Sequence, residues 1–199
     1  MMGGHVFAQD THEYVDLGLP SGTLWATCNV GANSPEEYGD YFAWGEIQPK
    51  DVYNWDTYQY YDGSNVTQYT GSDGLITLLS EDDAATANWG DEWRMPTDEE
   101  WEELKNNTTS TWTTRNGKKG YLFTSKKNGQ SLFLPAAGYR WGGYLNYVGS
   151  YGYYWSSSLY MGPPYYAWYL YFYSGYYDMG SYSRYYGQSV RAVRSTRQH

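Results

Sequence analysis

Cysteine is almost missing from this sequence: the single copy, Cys28, cannot form an internal disulfide, so packing must hold the fold, and the redox compartment stays open. Positive charge is scarce too. Lys plus Arg number 13 against 22 Asp plus Glu, a formal charge of -9, which repels nucleic acid and anionic membranes, so no nucleic-acid partner is expected. No apolar run approaches the roughly 18 residues a membrane helix needs, so no membrane-spanning segment is expected. The three histidines, His5, His12 and His199, lie near the ends, which removes the usual general base from the middle of the chain. No glycine-rich phosphate loop joins a strand to a helix, and no Cys/His spacing suits zinc. These absences argue against an enzyme and leave no cofactor and no metal to expect.

The residues that could still carry chemistry have structural readings. The hydroxyls of Ser156, Ser157 and Ser158 in "WSSS" have no evident activator and read as strand residues pairing polar groups. The acidic runs Glu81–Asp83 and Glu99–Glu103 sit at expected helix N-termini, where carboxylates complement the macrodipole. Cys28, between "WAT" and "NVG", reads as a small buried hydrophobe.

At 199 residues the chain suits one domain with a single core. We divide it into residues 1–13, a flexible N-terminal segment or a signal or expression remnant, and one domain over 14–199. The opening "MMGGHVFAQD" carries the short apolar stretch behind that signal reading. Short Tyr-, Trp-, Val- and Thr-rich segments between frequent turn residues predict mostly strand and loop. Three helix starts interrupt them. "SPEEYGDYF" places Ser34 as N-cap and Pro35 at the first helical position, "SEDDAATANW" runs from a Ser80 cap to Trp89, and "PTDEEWEELKNN" sets Thr97 and Glu100 in capping-box spacing with Trp101 and Leu104 on one face. "GYLFTS" and "SLFLPAAG" bracket a hairpin turn at Asn128-Gly129. In "AWYLYFY" the alternation assigns Trp168, Leu170 and Phe172 to the core and Tyr169, Tyr171 and Tyr173 to the other face. The mixed pattern of "SVRAVR" suits a strand near a sheet edge or beside the start of the chain.

What the sequence has in excess is aromatic surface. Ten tryptophans and 26 tyrosines cannot all be buried in a domain of this size, and more than half of the tyrosines lie between Tyr139 and Tyr186. Tyrosine offers large, rigid, amphipathic contact area with few rotors, while serine and glycine adapt locally, which is the composition of binding loops. Cross-strand stacking accounts equally well for Tyr153, Tyr169 and Tyr171. It accounts less well for "RWGGYLNY", "MGPPYY" and "SGYYDMGSYS", which read as loops.

The ordered series "YVDLGLPSGTLWATCNVGA", "EEYGDYFAWGE", "WRMPTDEEWEEL", "LFLPAAGYR", "YYWSSS" and "YYGQSVRAVR" resembles a group of bacterial domains, abundant in Bacteroidetes, with a C-type-lectin-like fold related in outline to the formylglycine-generating enzyme. The likeness runs from about Tyr14 to Arg194. It implies an α+β, C-type-lectin-like fold of short strands and loops with two or three short helices. The C-terminal layout further resembles the variable proteins of diversity-generating retroelements, in which adenine-directed scattering leaves Tyr, Ser, Asp, Asn and Gly at displayed positions. Trp155 with the serines after it matches that family's core strand, and Gly187, Val190 and Arg191 match its end. The paired cysteines of the oxidase relatives are missing, as are the Glu-Pro-Asn and Gln-Pro-Asp tripeptides of calcium-dependent lectins.

Residues and resemblance together point to a ligand-recognition domain, secreted or at the cell surface, that binds protein or glycan on another cell or host surface. The candidate ligand-binding residues are Trp141, Tyr144, Tyr147, Tyr151, Tyr160, Tyr165, Tyr166, Tyr176, Tyr177, Asp178, Tyr182 and Ser183. An isologous dimer through the same patch, an enzyme of the formylglycine-generating type and a fixed cell-envelope polysaccharide-binding module stay open as alternatives.

Overall fold

The computed structural model describes residues 12–196; the readings on His5, His199 and nearly all of segment 1–13 lie outside the described residues. The chain runs through β1 (Tyr14–Val15), β2 (Leu24–Asn29), α1 (Ala84–Trp89), α2 (Asp98–Asn107), β3 (Thr108–Arg115), β4 (Lys118–Ser125), β5 (Ser131–Pro135), β6 (Tyr139–Trp141), β7 (Tyr144–Asn146), β8 (Tyr151–Leu159), β9 (Tyr166–Tyr173), β10 (Tyr176–Ser183) and β11 (Arg191–Arg194). The architecture is α+β, built of small antiparallel sheets with few helices. The sheets have the orders β1-β2-β11, β10-β9-β8, β3-β4-β5 and β6-β7. Among the described residues no helix is long and apolar enough to cross a membrane.

The β8–β9–β10 sheet separates two hydrophobic clusters, because successive strand side chains point to opposite faces. In β8, Trp155 enters one cluster with Phe42, Trp44, Trp93 and Val190, while its neighbour Tyr154 enters the other with Trp25, Trp101, Phe123 and Phe172. We call the first side the front and the second the back. Gly152 matters on the back: a Cβ there would lie 2.0 Å from Phe172 Cζ, so only glycine lets that ring cross β8. β11 is an edge strand paired with β2, near the start of the chain, as its pattern suggests. Arg191 is fully buried there and donates to Asn29 Oδ1 (2.9 Å) and the Phe133 carbonyl (2.9 Å). A buried guanidinium needs such acceptors to offset its desolvation.

α2 begins as read: Thr97 and Glu100 form a capping box, and Trp101 and Leu104 are fully buried. The β4–β5 hairpin also turns where expected. The other two helix starts need correction. Ser80 opens only a 3-10 turn, and the α1 cap is Asp83, whose carboxylate accepts from the backbone N–H of Ala85, Thr86 and Met95. Residues 34–39 make a single turn, Glu37 N–H to the Ser34 carbonyl at 3.2 Å. The chain is pulled back to Val30 three residues later, through Asp40 N–H, before a helix can propagate.

Three further readings change. "RWGGYLNY" is not a loop but the β6–β7 hairpin around Gly142-Gly143, and "SGYYDMGSYS" is not a loop but the turn into β10 and β10 itself. Both ladders run through glycine-containing stretches that look like turns in one dimension. Trp168 is only half-buried, whereas Tyr169, assigned to the outer face, is 7 % exposed, because the front of β9 is itself packed. Cys28 is half-buried rather than buried.

Candidate functional site

The front of the sheet is a continuous array of phenol rings. Register puts Tyr153 opposite Tyr171 and Tyr173 opposite both Tyr151 and Tyr176, and residues directly opposite share a face. Ring centroids then follow one another from Tyr176 to Tyr173 (5.2 Å), Tyr151 (5.6 Å), Tyr171 (5.9 Å), Tyr153 (5.3 Å), Tyr169 (5.9 Å) and Tyr182 (5.5 Å). Beyond Tyr182 the series continues through Tyr186 (4.4 Å) and Tyr185 (4.4 Å) to Trp55 (5.1 Å), which also meets Tyr61 and Tyr165. Offset and edge-to-face pairs of this kind contribute about 0.5–1.5 kcal/mol each beyond their burial.

The array grades from buried to exposed. Tyr153 and Tyr169 are packed under the front cluster, as cross-strand stacking predicts, while Tyr173 and Tyr176 are open to solvent. Past Tyr151 the surface climbs onto Tyr147 (4.8 Å between rings) and the β6–β7 hairpin, where Trp141 is 50 %, Tyr144 73 % and Tyr147 56 % exposed. Tyr147 holds φ at +60°, a left-handed conformation that costs a bulky residue roughly 1–2 kcal/mol. Beyond its ring contacts with Tyr139 and Tyr151, this strained aromatic is open to solvent.

The electrostatics are those of neutral phenols. Burial, with neighbouring phenols adding to it, pushes the Tyr153, Tyr169 and Tyr186 hydroxyls well above the usual tyrosine range, and pushes Tyr139 up to about 12. The Tyr139 and Tyr186 rings both pack against Tyr182, at 6.0 Å and 4.4 Å between centroids. From Trp141 to Ser183 the only charged residue is Asp178. In a chain of net charge -9, this stretch of ring edges and hydroxyls carries the single charge of Asp178, opposite Tyr171.

The structure sorts the candidate residues. Tyr147, Tyr151, Tyr165, Tyr176 and Tyr182 join the array, and Trp141 and Tyr144 extend it along the hairpin. Tyr160, with ring contacts to Tyr166 and Trp168, forms a separate group at the β8–β9 connection. Tyr177 belongs to the back, against Tyr121 and Phe123. Asp178 pairs with Lys105 of α2 at 2.7 Å, which holds its carboxyl below the usual range, and Ser183 ends β10 half-buried.

Sequence reasoning missed Trp55, Tyr61, Tyr185, Tyr186 and Arg184. Arg184 is fully buried under the Trp44 ring; it donates to the carbonyls of Gln68 (2.7 Å), Tyr69 (2.9 Å) and Pro164 (2.9 Å) and to the Tyr58 hydroxyl (3.2 Å). It thereby ties the segment after Trp55 and the loop before Tyr165 to the end of β10. The one available signal was aromatic density in "VYNWDTYQYYDG", far from the C-terminal cluster.

Residues with catalytic potential are engaged elsewhere. Ser156 donates to the Trp168 carbonyl (2.7 Å) and Ser158 to Asp98 (2.8 Å), and His12 stacks on Trp89 at 3.8 Å. A cleft of about 800 Å³ near the start of α2 is lined by Leu78, Trp93 and Met95 and by Asp83, Arg94, Thr97 and Glu100, the polar four already committed to caps and to an Arg94–Glu100 pair (2.7 Å). Among the described residues, no group of three or more His, Cys, Asp or Glu could hold a metal ion.

A family model described as a domain of unknown function (DUF8237) matches residues 104–193, a span that contains β6–β10 and most of the array. No curated protein and no solved structure matches the chain.

Proposed function

We propose that this chain is a non-enzymatic recognition domain of C-type-lectin-like fold, whose tyrosine face and β6–β7 hairpin bind a protein or glycan on another cell or host surface. The observation that carries this reading is the connected ring face running from buried Tyr153 to exposed Tyr147 and Tyr176, with Asp178 the sole charge between Trp141 and Ser183. Aromatic rings with hydroxyl tips suit interfaces because one end is apolar and the other accepts or donates a hydrogen bond. The pairing of β11 with β2 and the few short helices support the lectin-like fold. The same face, rich in Tyr, Ser and Gly, supports a relation to variable proteins of diversity-generating retroelements, and display at a cell surface or after secretion follows from it.

The test is a glycan array beside a protein-partner screen, using the full chain and a Tyr144→Ser/Tyr147→Asn/Tyr176→Ser variant. Asn tolerates the left-handed backbone at position 147. Ligands that bind the parent and not the folded variant support the reading; ligands bound equally by both sink it. Glycan hits alone would favour the fixed polysaccharide-binding module.

A further inference from the structure

β10 is paired on one side only, since the sheet order is β10-β9-β8. The Ser174-Gly175 turn closes on the Tyr173–Tyr176 pair, and in a two-residue hairpin that pair exchanges both backbone hydrogen bonds. Alternation then turns the N–H and C=O of Tyr176, Asp178, Gly180 and Tyr182 toward β9. Those of Tyr177, Met179, Ser181 and Ser183 face away. Two bonds agree with this phase: Arg184 N–H donates to the Tyr165 carbonyl (3.0 Å), continuing the inward series, and Met179 N–H turns outward to Asp178 Oδ1 (2.8 Å). The opposite edge, β8, is covered by bridges from Thr77, Gly138 and Ser189, whereas among the described residues no bridge reaches the outer side of β10.

Exposed edges are usually blunted by lysine, proline or a bulge. β10 has no lysine or proline, and its register on β9 is unbroken from Tyr176 to Ser183. Among the described residues its guard is Asp178, whose carboxylate covers the Met179 N–H and is held by Lys105, itself shared with Glu102 (3.2 Å). Among the described residues, no hydrogen bond reaches the outward backbone groups of Tyr177 and Ser181, on either side of Met179.

We propose that the free edge of β10 docks an extended, basic segment of a partner protein, which joins the sheet as an added strand. This rests on the tyrosine face being the recognition surface, and it narrows the ligand to a protein. Side chains of an added strand alternate, so every second one lies on the front beside Tyr176 and Tyr182. The edge selects charge, because one lysine serves two carboxylates there; an incoming Lys or Arg takes over Asp178 and frees the Met179 N–H for the ladder. A second copy of the chain fits poorly. Each copy carries -9, and antiparallel pairing of two β10 strands brings their Asp178 carboxylates near each other.

The probe is a displayed library of random peptides of about nine residues, a typical strand length, selected on the full chain. Enriched peptides should carry Lys or Arg, and N-methylation along them should abolish binding at every second amide only. Ser181→Pro removes an outward donor and no ladder bond, as edge strands tolerate, and should weaken the peptides about tenfold or more. Asp178→Ala should erase the preference for Lys over Gln. No enrichment, equal binding to folded Ser181→Pro, or an N-methyl scan without the two-residue period overturns the proposal. Self-association that Ser181→Pro abolishes, seen by sedimentation, overturns it as well by making a second copy the occupant. If Ser181→Pro fails to fold by circular dichroism, the N-methyl scan decides alone. A ligand that ignores Ser181→Pro but is lost with the Tyr144/Tyr147/Tyr176 variant sinks the edge and leaves the tyrosine face standing.

Discussion

The two faces of the β8–β9–β10 sheet use the same residue type for different ends. On the back, the hydroxyls of the two buried tyrosines hold backbone: Tyr154 donates to the Pro135 carbonyl (2.7 Å) and accepts from Asn29 Nδ2 (3.2 Å), and Tyr121 donates to the Tyr173 carbonyl (3.0 Å) and accepts from Gly175 N–H (2.8 Å). On the front, the rings of Tyr139, Tyr182, Tyr185 and Tyr186 pack on one another, with centroids from 4.4 Å to 6.0 Å apart. A ring whose polar tip holds the main chain is part of the scaffold. One whose neighbours are other rings, and then solvent, can be exchanged for another side chain without unpicking the fold.

The largest effect that tests this contrast is alkaline unfolding. Burial raises the phenol of Tyr154 on the back and Tyr139 on the front to about 12, and raises Tyr153 and Tyr169 as well. A raised folded value means that the stabilisation is complete below the unfolded tyrosine value of about 10 and is lost as pH rises through the folded one. The protein should therefore stay folded to about pH 10 and unfold cooperatively near pH 12, with near-UV circular dichroism and phenolate absorbance changing together. Gradual ionisation without loss of structure would show the rings to be open to solvent.

Next in size is Trp101→Ala. The indole is fully buried between Trp25 and Tyr154, and its N–H donates to the Trp155 carbonyl (3.3 Å), so removal should cost roughly 3–5 kcal/mol in denaturant titration. Gly152→Ala should cost about 1–3 kcal/mol by forcing Phe172 aside. Smallest of all should be the Tyr144→Ser/Tyr147→Asn/Tyr176→Ser variant. Surface changes of this kind stay within about 0.5 kcal/mol each, and relief of the Tyr147 backbone can turn the sign favourable. A loss as large as that of Trp101→Ala would place these rings in the fold and erase the difference between the faces.

How much was legible in the sequence follows the same division. α2 could be read because its cap, capping-box partner and inward face all lie within eleven residues, Thr97–Asn107. The β4–β5 hairpin was legible for a similar reason, a local turn between two apolar runs. β10 was not, since Gly180 and the serines look like loop until β9 supplies the ladder, and a Cβ at Gly180 would press on the Tyr169 ring at 3.1 Å. The aromatic density of the C-terminal third announced a face, and Tyr147, Tyr151, Tyr176 and Tyr182 are on it. Composition says nothing about which strand face a ring occupies, so Tyr177 and Asp178 were placed with it although one packs behind the sheet and the other binds α2. Trp55 and Arg184 needed tertiary structure, because the partners that join them to each other's region, Tyr185 for Trp55 and Tyr58 for Arg184, are more than a hundred residues away in the chain.

The central claim is that the exposed rings of the front are free to change because their function is recognition, while the packed core on either side of the sheet is not. Sequencing sibling copies of the gene measures this directly. Differences should concentrate at Trp141, Tyr147, Tyr160, Pro163, Tyr165, Tyr176, Tyr182 and Ser183, with Trp155, Leu170, Phe172, Gly187 and Val190 constant and an adenine-bearing template copy nearby. Variation spread evenly along all 199 residues, or constant front tyrosines above a drifting core, would contradict the account.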